Sequence, residues 1–198
     1  MSDIRRSFIK IGGDLAIDFA NTGAIYGWVD LIDFLELRGA LTRADGAELR
    51  AMDENDARRC AAAFTQGLQL RETVRAVLGA MAAKRNLQAR WIAEVNQALS
   101  SGAGADRLVR HEAGWRLGFT PAQNEPLRVL SPIARSIADL AALGRAVEIR
   151  KCANPRCFLY FRDRSRARRR RWCSMAVCGN RMKVASHARR HGRRRRPA

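Results

Sequence analysis

Apolar residues recur at three-to-four spacing over much of the first 149 positions, and this period predicts a series of amphipathic helices. In "GGDLAIDFANT" Asp14 is the expected N-cap, and Leu15, Ala16, Phe19 and Ala20 share one face. In "DLIDFLELRGAL" Asp30 is expected to cap, Leu31, Phe34, Leu35 and the stem of Arg38 to face inward, and Gly39 to end the helix. The longest pattern runs from 57 to 85, with Cys60, Phe64, Leu68, Val74, Leu78 and Met81 at helical spacing and Gly67 and Gly79 interrupting it. Leu87, Trp91, Val95 and Leu99 line a further helix.

The period then changes. "RLVRHEAGWRLGFTP" alternates about a glycine-containing turn and predicts a β-hairpin. "PLRVL" reads as a short strand before a helix that starts with Ser131 as N-cap and Pro132 at its first position, and Gly144 closes that helix. "AVEIRKC" is expected to be extended. The predicted fold is mainly α with a small β-hairpin: a helical N-terminal domain over 1–149 and a compact C-terminal module over 150–190. A disordered basic tail is expected over 191–198.

Charge sharpens this division. The chain has 198 residues and a formal net charge of +18. From Arg150 onward it carries 18 Lys and Arg against one acid, Asp163, while the preceding 149 residues hold 19 basic and 18 acidic groups. The asymmetry calls for an acidic partner, nucleic acid before an anionic membrane surface. No apolar stretch approaches the length of a membrane span. Lys10, Asp14 and Asp18 break up the N-terminal apolar run, so it does not read as a signal peptide. The expectation is a cytoplasmic protein of bacterial style.

Five cysteines follow two patterns. Cys60 falls on the apolar face of a helix and reads as a core thiol. Cys152, Cys157, Cys173 and Cys178 form two C-x4-C pairs separated by fifteen residues. Two turns that each present two thiolates are what a tetrahedral four-cysteine zinc site needs. Two disulfides and an iron–sulfur cluster are the competing readings, and a reducing compartment favours zinc over disulfides. One structural Zn2+ per chain is therefore expected. It would stabilise a segment too short to fold on its small core of Phe158, Tyr160, Phe161 and Trp172. His187 and His191 lie at i, i+4 spacing and read as surface residues of a basic helix.

Sixteen of the 18 basic residues are arginine, whose planar fork suits phosphate and guanine edges. Arg162, Arg164, Arg166, Arg168, Arg169, Arg170 and Arg171 fall between the cysteine pairs, on a loop or ribbon tied at both ends. Arg181, Lys183, Arg189 and Arg190 fall on a basic helix beginning near Cys178, with Asn180 its expected cap. These residues are the candidate nucleic-acid contacts, and one of the arginines is expected to pair with Asp163. Gly179, with no Cβ, is expected to let the chain turn beside the metal.

The stretch "CANPRCFLYFRDRSRARRRRWCSMAVCGNRMK" resembles the CGNR zinc finger, named for the tetrapeptide Cys178-Gly179-Asn180-Arg181. "GGDLAIDFANT" is similar to the opening of the domain that precedes this finger in proteins described as stress-induced transcription regulators. "PIARSIADLAAL" is similar to a helix of the same domain. The resemblance implies a zinc-dependent, DNA-binding bacterial regulator whose N-terminal domain senses a ligand.

No catalytic constellation stands out, and the chain is read as a non-enzyme. A polar cluster of Asp18, Asn21 and Thr22 has two readings, structural hydrogen bonding or the lining of a small-molecule effector pocket walled by Trp28 or Trp115. The functional expectation is a transcription regulator on double-stranded DNA, with the helical domain dimerising or sensing an effector. The alternative is a binder of structured RNA or of the ribosome.

Overall fold

The computed structural model describes residues 11–23, 25–101, 104–111, 114–121 and 125–194, with side chains described outside 104–121 and 189–194. Helices α1 (Leu15–Ala20), α2 (Trp28–Leu37), α3 (Arg43–Asn55), α4 (Ala57–Ala82) and α5 (Ala89–Ser100) come first. An antiparallel hairpin, β1 (Gly104–His111) and β2 (Gly114–Pro121), follows in register from Gly104–Pro121 to His111–Gly114. A 3-10 turn (Pro126–Leu130) leads into α6 (Ser131–Leu143). A two-stranded ribbon, β3 (Ile149–Lys151) and β4 (Tyr160–Arg162), and helix α7 (Asn180–Arg194) complete the order. Among the described residues no helix is long and apolar enough to cross a membrane.

Helix α4 is the axis of the core, and α1, α2, α3, α5, α6 and β3 all pack against it. Its buried residues are Cys60, Ala63, Gly67, Leu70, Thr73, Val74, Val77, Leu78 and Ala80. The expected stripe had Phe64 and Leu68 in place of Ala63 and Gly67, and both are only partly buried. The small residues win because neighbours come close: a Cβ on Gly67 would sit 3.2 Å from a Leu130 methyl and 3.4 Å from a Leu31 methyl. Cys60 is fully buried, as expected of a core thiol, and burial pushes its pKa up.

Several helix ends differ from expectation. Asp14 occupies the N-cap of α1, but its carboxylate caps nothing and faces Arg162 and Arg164. Helix α2 starts at Trp28 behind Gly27, one turn before the expected cap, and Asp30 instead accepts from the Tyr26 amide. Gly39 does end α2, at φ +66°. "PLRVL" is a 3-10 turn rather than a strand, because Pro126 starts it and Glu125 caps it, accepting from the Leu127 amide. Ser131 is the first residue of α6, with Leu130 at its N-cap. Helix α3 was not anticipated. Thr42 and Asp45 start it with a reciprocal capping box, while only Gly46 and Leu49 are buried.

The C-terminal module is not a detached unit. Ile149 belongs to the helical core, and Tyr160 packs against it. The Asn21 amide bonds both backbone groups of Tyr160, and the Arg162 amide donates to the Gly12 carbonyl at 3.2 Å. Strand β4 is thereby edged by the loop and helix of residues 12–21. Helix α7 continues to Arg194, and residues 195–198 of the expected tail lie outside the described ones.

Candidate metal centre and arginine loop

Both knuckles are held by backbone hydrogen bonds. In the first, the Cys152 amide donates to the Leu159 carbonyl at 2.9 Å and the Cys157 amide to the Asn154 carbonyl at 2.9 Å. Asn154 also accepts from the Arg156 amide through its side chain, as turn-forming asparagines do. In the second, Ser174 caps a π turn over Met175–Gly179 that runs on into α7. Helical structure therefore begins before Cys178, and Asn180, expected as the cap, lies inside it. Gly179 donates to the Ser174 carbonyl rather than to a thiolate. Its missing side chain makes room for packing, since a Cβ there would lie 2.5 Å from the Met175 sulfur and 3.2 Å from Trp172.

The thiols of Cys152, Cys157, Cys173 and Cys178 all lie within 4.8 Å of one another. Cys157 and Cys173 Sγ are 3.8 Å apart, and Cys173 and Cys178 Sγ are 3.6 Å apart. A tetrahedron with Zn–S spokes of about 2.3 Å has edges of about 3.8 Å, so the set fits one zinc ion. All four cysteines are free thiols, which sets aside the disulfide reading. The donor set is closed: four sulfurs fill a tetrahedral ion and leave no open position, as in a structural site.

Two N–H groups support the sulfurs. The Cys173 amide donates to Cys152 Sγ at 3.4 Å, and the Asn154 side-chain amide donates to Cys178 Sγ at 3.4 Å. Burial pushes the Cys157 and Cys173 thiols up. Cys178 feels the same burial, yet the Asn154 hydrogen bond and the neighbouring thiols hold it below the ordinary value. Around the centre Leu159 and Phe161 are buried, with Ile11 and Trp172 packed against them. Phe158, expected inside, is 56% exposed, because the extended segment leading into β4 turns Leu159 and Phe161 inward instead.

The arginine segment is built on Asp163, whose carboxylate is buried. It accepts from the Ser165 amide (3.0 Å), the Ser165 hydroxyl (2.6 Å) and the Arg170 amide (2.8 Å), and Arg150 Nε lies 3.2 Å away. Burial opposes its ionisation, but these hydrogen bonds and the Arg150 charge outweigh it and hold the carboxyl below its usual range. The acid expected to pair with one arginine thus organises the whole loop.

The candidate nucleic-acid residues divide by placement. Arg166, Arg168, Arg169 and Arg171 are exposed on the loop, and Arg181 and Lys183 are exposed on α7. Arg162 and Arg164 each lie 3.3 Å from Asp14. Arg170 turns inward, 4.4 Å over the Phe161 ring, and donates to the Trp172 and Cys173 carbonyls. The backbone of Arg189 and Arg190 belongs to α7, but their side chains lie outside the described residues.

The cluster of Asp18, Asn21 and Thr22 is buried, and each side chain has partners inside the fold. Asp18 accepts from the Gly12 amide at 2.7 Å and pairs with Arg38 at 3.3 Å. Thr22 donates to the Phe19 carbonyl, and Asn21 holds Tyr160. Trp28 is also a core residue and donates from Nε1 to the Leu49 carbonyl; the side chain of Trp115 lies outside the described residues. Asn21 makes the structural hydrogen bonds of one of its two readings, but to a partner in the finger that the sequence did not name, and Asp14, expected as the cap of α1, faces Arg162 and Arg164 instead.

Residues 13–144 match the family described as "Putative stress-induced transcription regulator", and residues 148–191 match the CGNR zinc finger. The chain belongs to this ABATE family. Its C-terminal CGNR finger supplies the four-cysteine centre. No curated protein matches the chain.

Proposed function

We propose that this chain is a transcription regulator that binds double-stranded DNA through its zinc-held arginine loop and the exposed face of α7, working in the bacterial cytoplasm. The observation that carries the reading is the loop itself. A structural metal centre fixes both ends, Asp163 fixes the middle, and Arg166, Arg168, Arg169 and Arg171 are left facing solvent. A solvated charge run needs no such scaffold, whereas phosphate recognition gains from preorganised guanidinium groups.

Binding to duplex DNA should fall by about 10³ to 10⁵ from low to moderate salt if six to ten phosphates are neutralised. Fluorescence anisotropy on the zinc-loaded chain, with duplex DNA and structured RNA in competition, tests the reading. Preference for RNA at every salt concentration would replace it with the RNA-binding alternative.

The helical domain is proposed to take up a small polar effector in a cleft of about 780 Å3 between α4 and α5. Thr73 and Glu94 hydrogen-bond to each other there, with Arg90 and Trp91 beside them. This cleft, rather than the filled cluster around Asp18, has room for a ligand. A thermal-shift screen in which Glu94→Ala abolishes the response of a hit would support the assignment; a hit that persists in Glu94→Ala would remove it.

A further inference from the structure

The basic surface extends beyond the finger. A cleft of about 610 Å3 opens where the C-terminal end of α4 meets the β3–β4 ribbon. Lys84 comes from the helical domain, and Arg150, Lys151, Arg170 and Arg171 come from the module; Glu148 is the one carboxylate on the lining. Gly79 lets the two sides close up, since the Tyr160 hydroxyl would lie 3.3 Å from a Cβ at that position.

Two of these cations are committed to the fold. Arg150 lies 3.1 Å from Glu148 and 3.2 Å from Asp163, and it donates to the Arg168 carbonyl. Arg170 is folded over Phe161. Glu148 is shared between Arg150, at 3.1 Å, and the Lys84 ammonium, at 3.8 Å, but the Lys84 side chain is 71% exposed, so the outward charge of the cleft comes from Lys151, Arg171 and the solvent-facing ammonium of Lys84. Lys84 and Lys151 are exposed, and Arg171 is exposed with its guanidinium 5.0 Å over Trp172. The end of α4 contributes only about half a negative charge, which three side-chain cations exceed. Its Gly79, Ala80 and Met81 carbonyls are already bonded, to the Ala83, Arg85 and Lys84 amides.

The backbone of Lys84 gives an independent reason to regard this cleft as a site. Lys84 ends α4 at φ +56°, with its amide on the Met81 carbonyl and the Arg85 amide on the Ala80 carbonyl. This is the left-handed helix stop that glycine fills at least cost. The same chain does use glycine just past α2 and α6, Gly39 at φ +66° and Gly144 at φ +50°. Among the described residues two non-glycines have positive φ, Lys84 and Arg168, and both are basic. A lysine kept in a glycine conformation at the mouth of a basic cleft is strain that ligand binding explains.

We propose that this cleft binds a phosphate of the DNA backbone, so that the helical domain, through Lys84, grips the same duplex as the finger. The inference rests on the DNA-binding reading above.

The test is the salt dependence of duplex binding by the full zinc-loaded chain and by Lys84→Gly/Lys151→Ala. The expected result is a slope of log affinity against log salt that is shallower by about 1, roughly 0.9 for the one lost phosphate contact. Zinc content should stay at one per chain, and the unfolding midpoint should be equal or higher, because glycine suits φ +56°. Arg58→Ala, about 35–40 Å away along α4 at 1.5 Å per residue, is the charge control for Lys84→Gly and should leave the slope unchanged. A double variant with the wild-type slope overturns the inference while the DNA-binding reading stands. It is overturned equally if inorganic phosphate stabilises the wild type but not the double variant and the DNA slope does not move. A wild type without salt-dependent duplex binding overturns both readings.

Discussion

Asn21 pairs with Tyr160 as a neighbouring strand would: its amide nitrogen donates to the Tyr160 carbonyl at 2.7 Å, and its oxygen accepts from the Tyr160 amide at 2.8 Å. The two residues are 139 positions apart, so one side chain bridges the helical domain and the finger. Asn21 is 1% exposed, and truncation would leave both backbone groups short of a partner. Asn21→Ala should cost about 2–4 kcal/mol, at roughly 1–3 kcal/mol per unmet group. Asn21→Asp should cost at least as much, because it removes the donor and buries a charge. Denaturant midpoints check the cost. Zinc transfer to a chelator checks the coupling, and it should be faster in both variants.

The closed four-sulfur centre separates the cysteines by role. Cys173→Ser should lose the zinc and, with it, the fold of the finger, because the small cluster of Leu159, Phe161 and Trp172 cannot stabilise the segment alone. Cys60→Ser should keep one zinc per chain, although a hydroxyl at a fully buried site lowers stability by about 1–3 kcal/mol. Metal analysis after gel filtration distinguishes them. Zinc retained by Cys173→Ser, or lost from Cys60→Ser, would refute the ligand assignment.

Asp163 ties the arginine loop together and has a lowered pKa, which fixes the sign of a pH effect. A carboxyl whose folded value lies below its unfolded value of about 3.9 contributes stability in full above that value. The contribution is lost as pH falls through the folded value. Asp163→Asn removes this dependence and presents the Arg170 amide with a weaker acceptor, at a cost of about 1.5–3 kcal/mol for a hydrogen bond to a charged group. Amide exchange at Arg170 should therefore be faster in Asp163→Asn near neutrality. The difference from wild type should shrink only as pH falls through the lowered folded value, below the ordinary carboxylate range, where the wild-type carboxyl protonates.

Elements whose evidence is local could be read from the sequence. The paired C-x4-C spacing identifies the four ligands, and the period of α2, α4 and α6 identifies the helices, because each signal lies within a few turns of chain. Helix α3 escaped because it buries little more than Leu49, although Thr42 and Asp45 carried its capping box in plain view. Asp14 and Asn21 hid their partners for the opposite reason. Asp14 has a common local role at the start of a short helix and Asn21 sits in a polar cluster, and each is used by a partner about 140 residues away that no local signal names. Lys84 gave no signal at all, since nothing in "AAKRN" marks a left-handed helix stop or the ribbon that packs beside it.

The run Arg168–Arg171 looks uniform in sequence, and the structure divides it. Arg170 faces inward, stacked on Phe161 and bonded to the carbonyls of Trp172 and of the ligand Cys173, while Arg168, Arg169 and Arg171 face solvent. Arg170→Ala should therefore act on the metal centre: it removes a cation–π contact and leaves two carbonyls without their donor, at about 2–4 kcal/mol. Zinc should then leave faster, and duplex binding should weaken in proportion to the zinc lost. Arg168→Ala/Arg169→Ala should do the reverse, keeping zinc while the salt dependence of DNA binding becomes shallower by about 2. Zinc-release kinetics and salt titrations on both variants separate the two roles. Equal behaviour in both assays would show that the run acts as an undifferentiated charge, without the inward and outward faces described above.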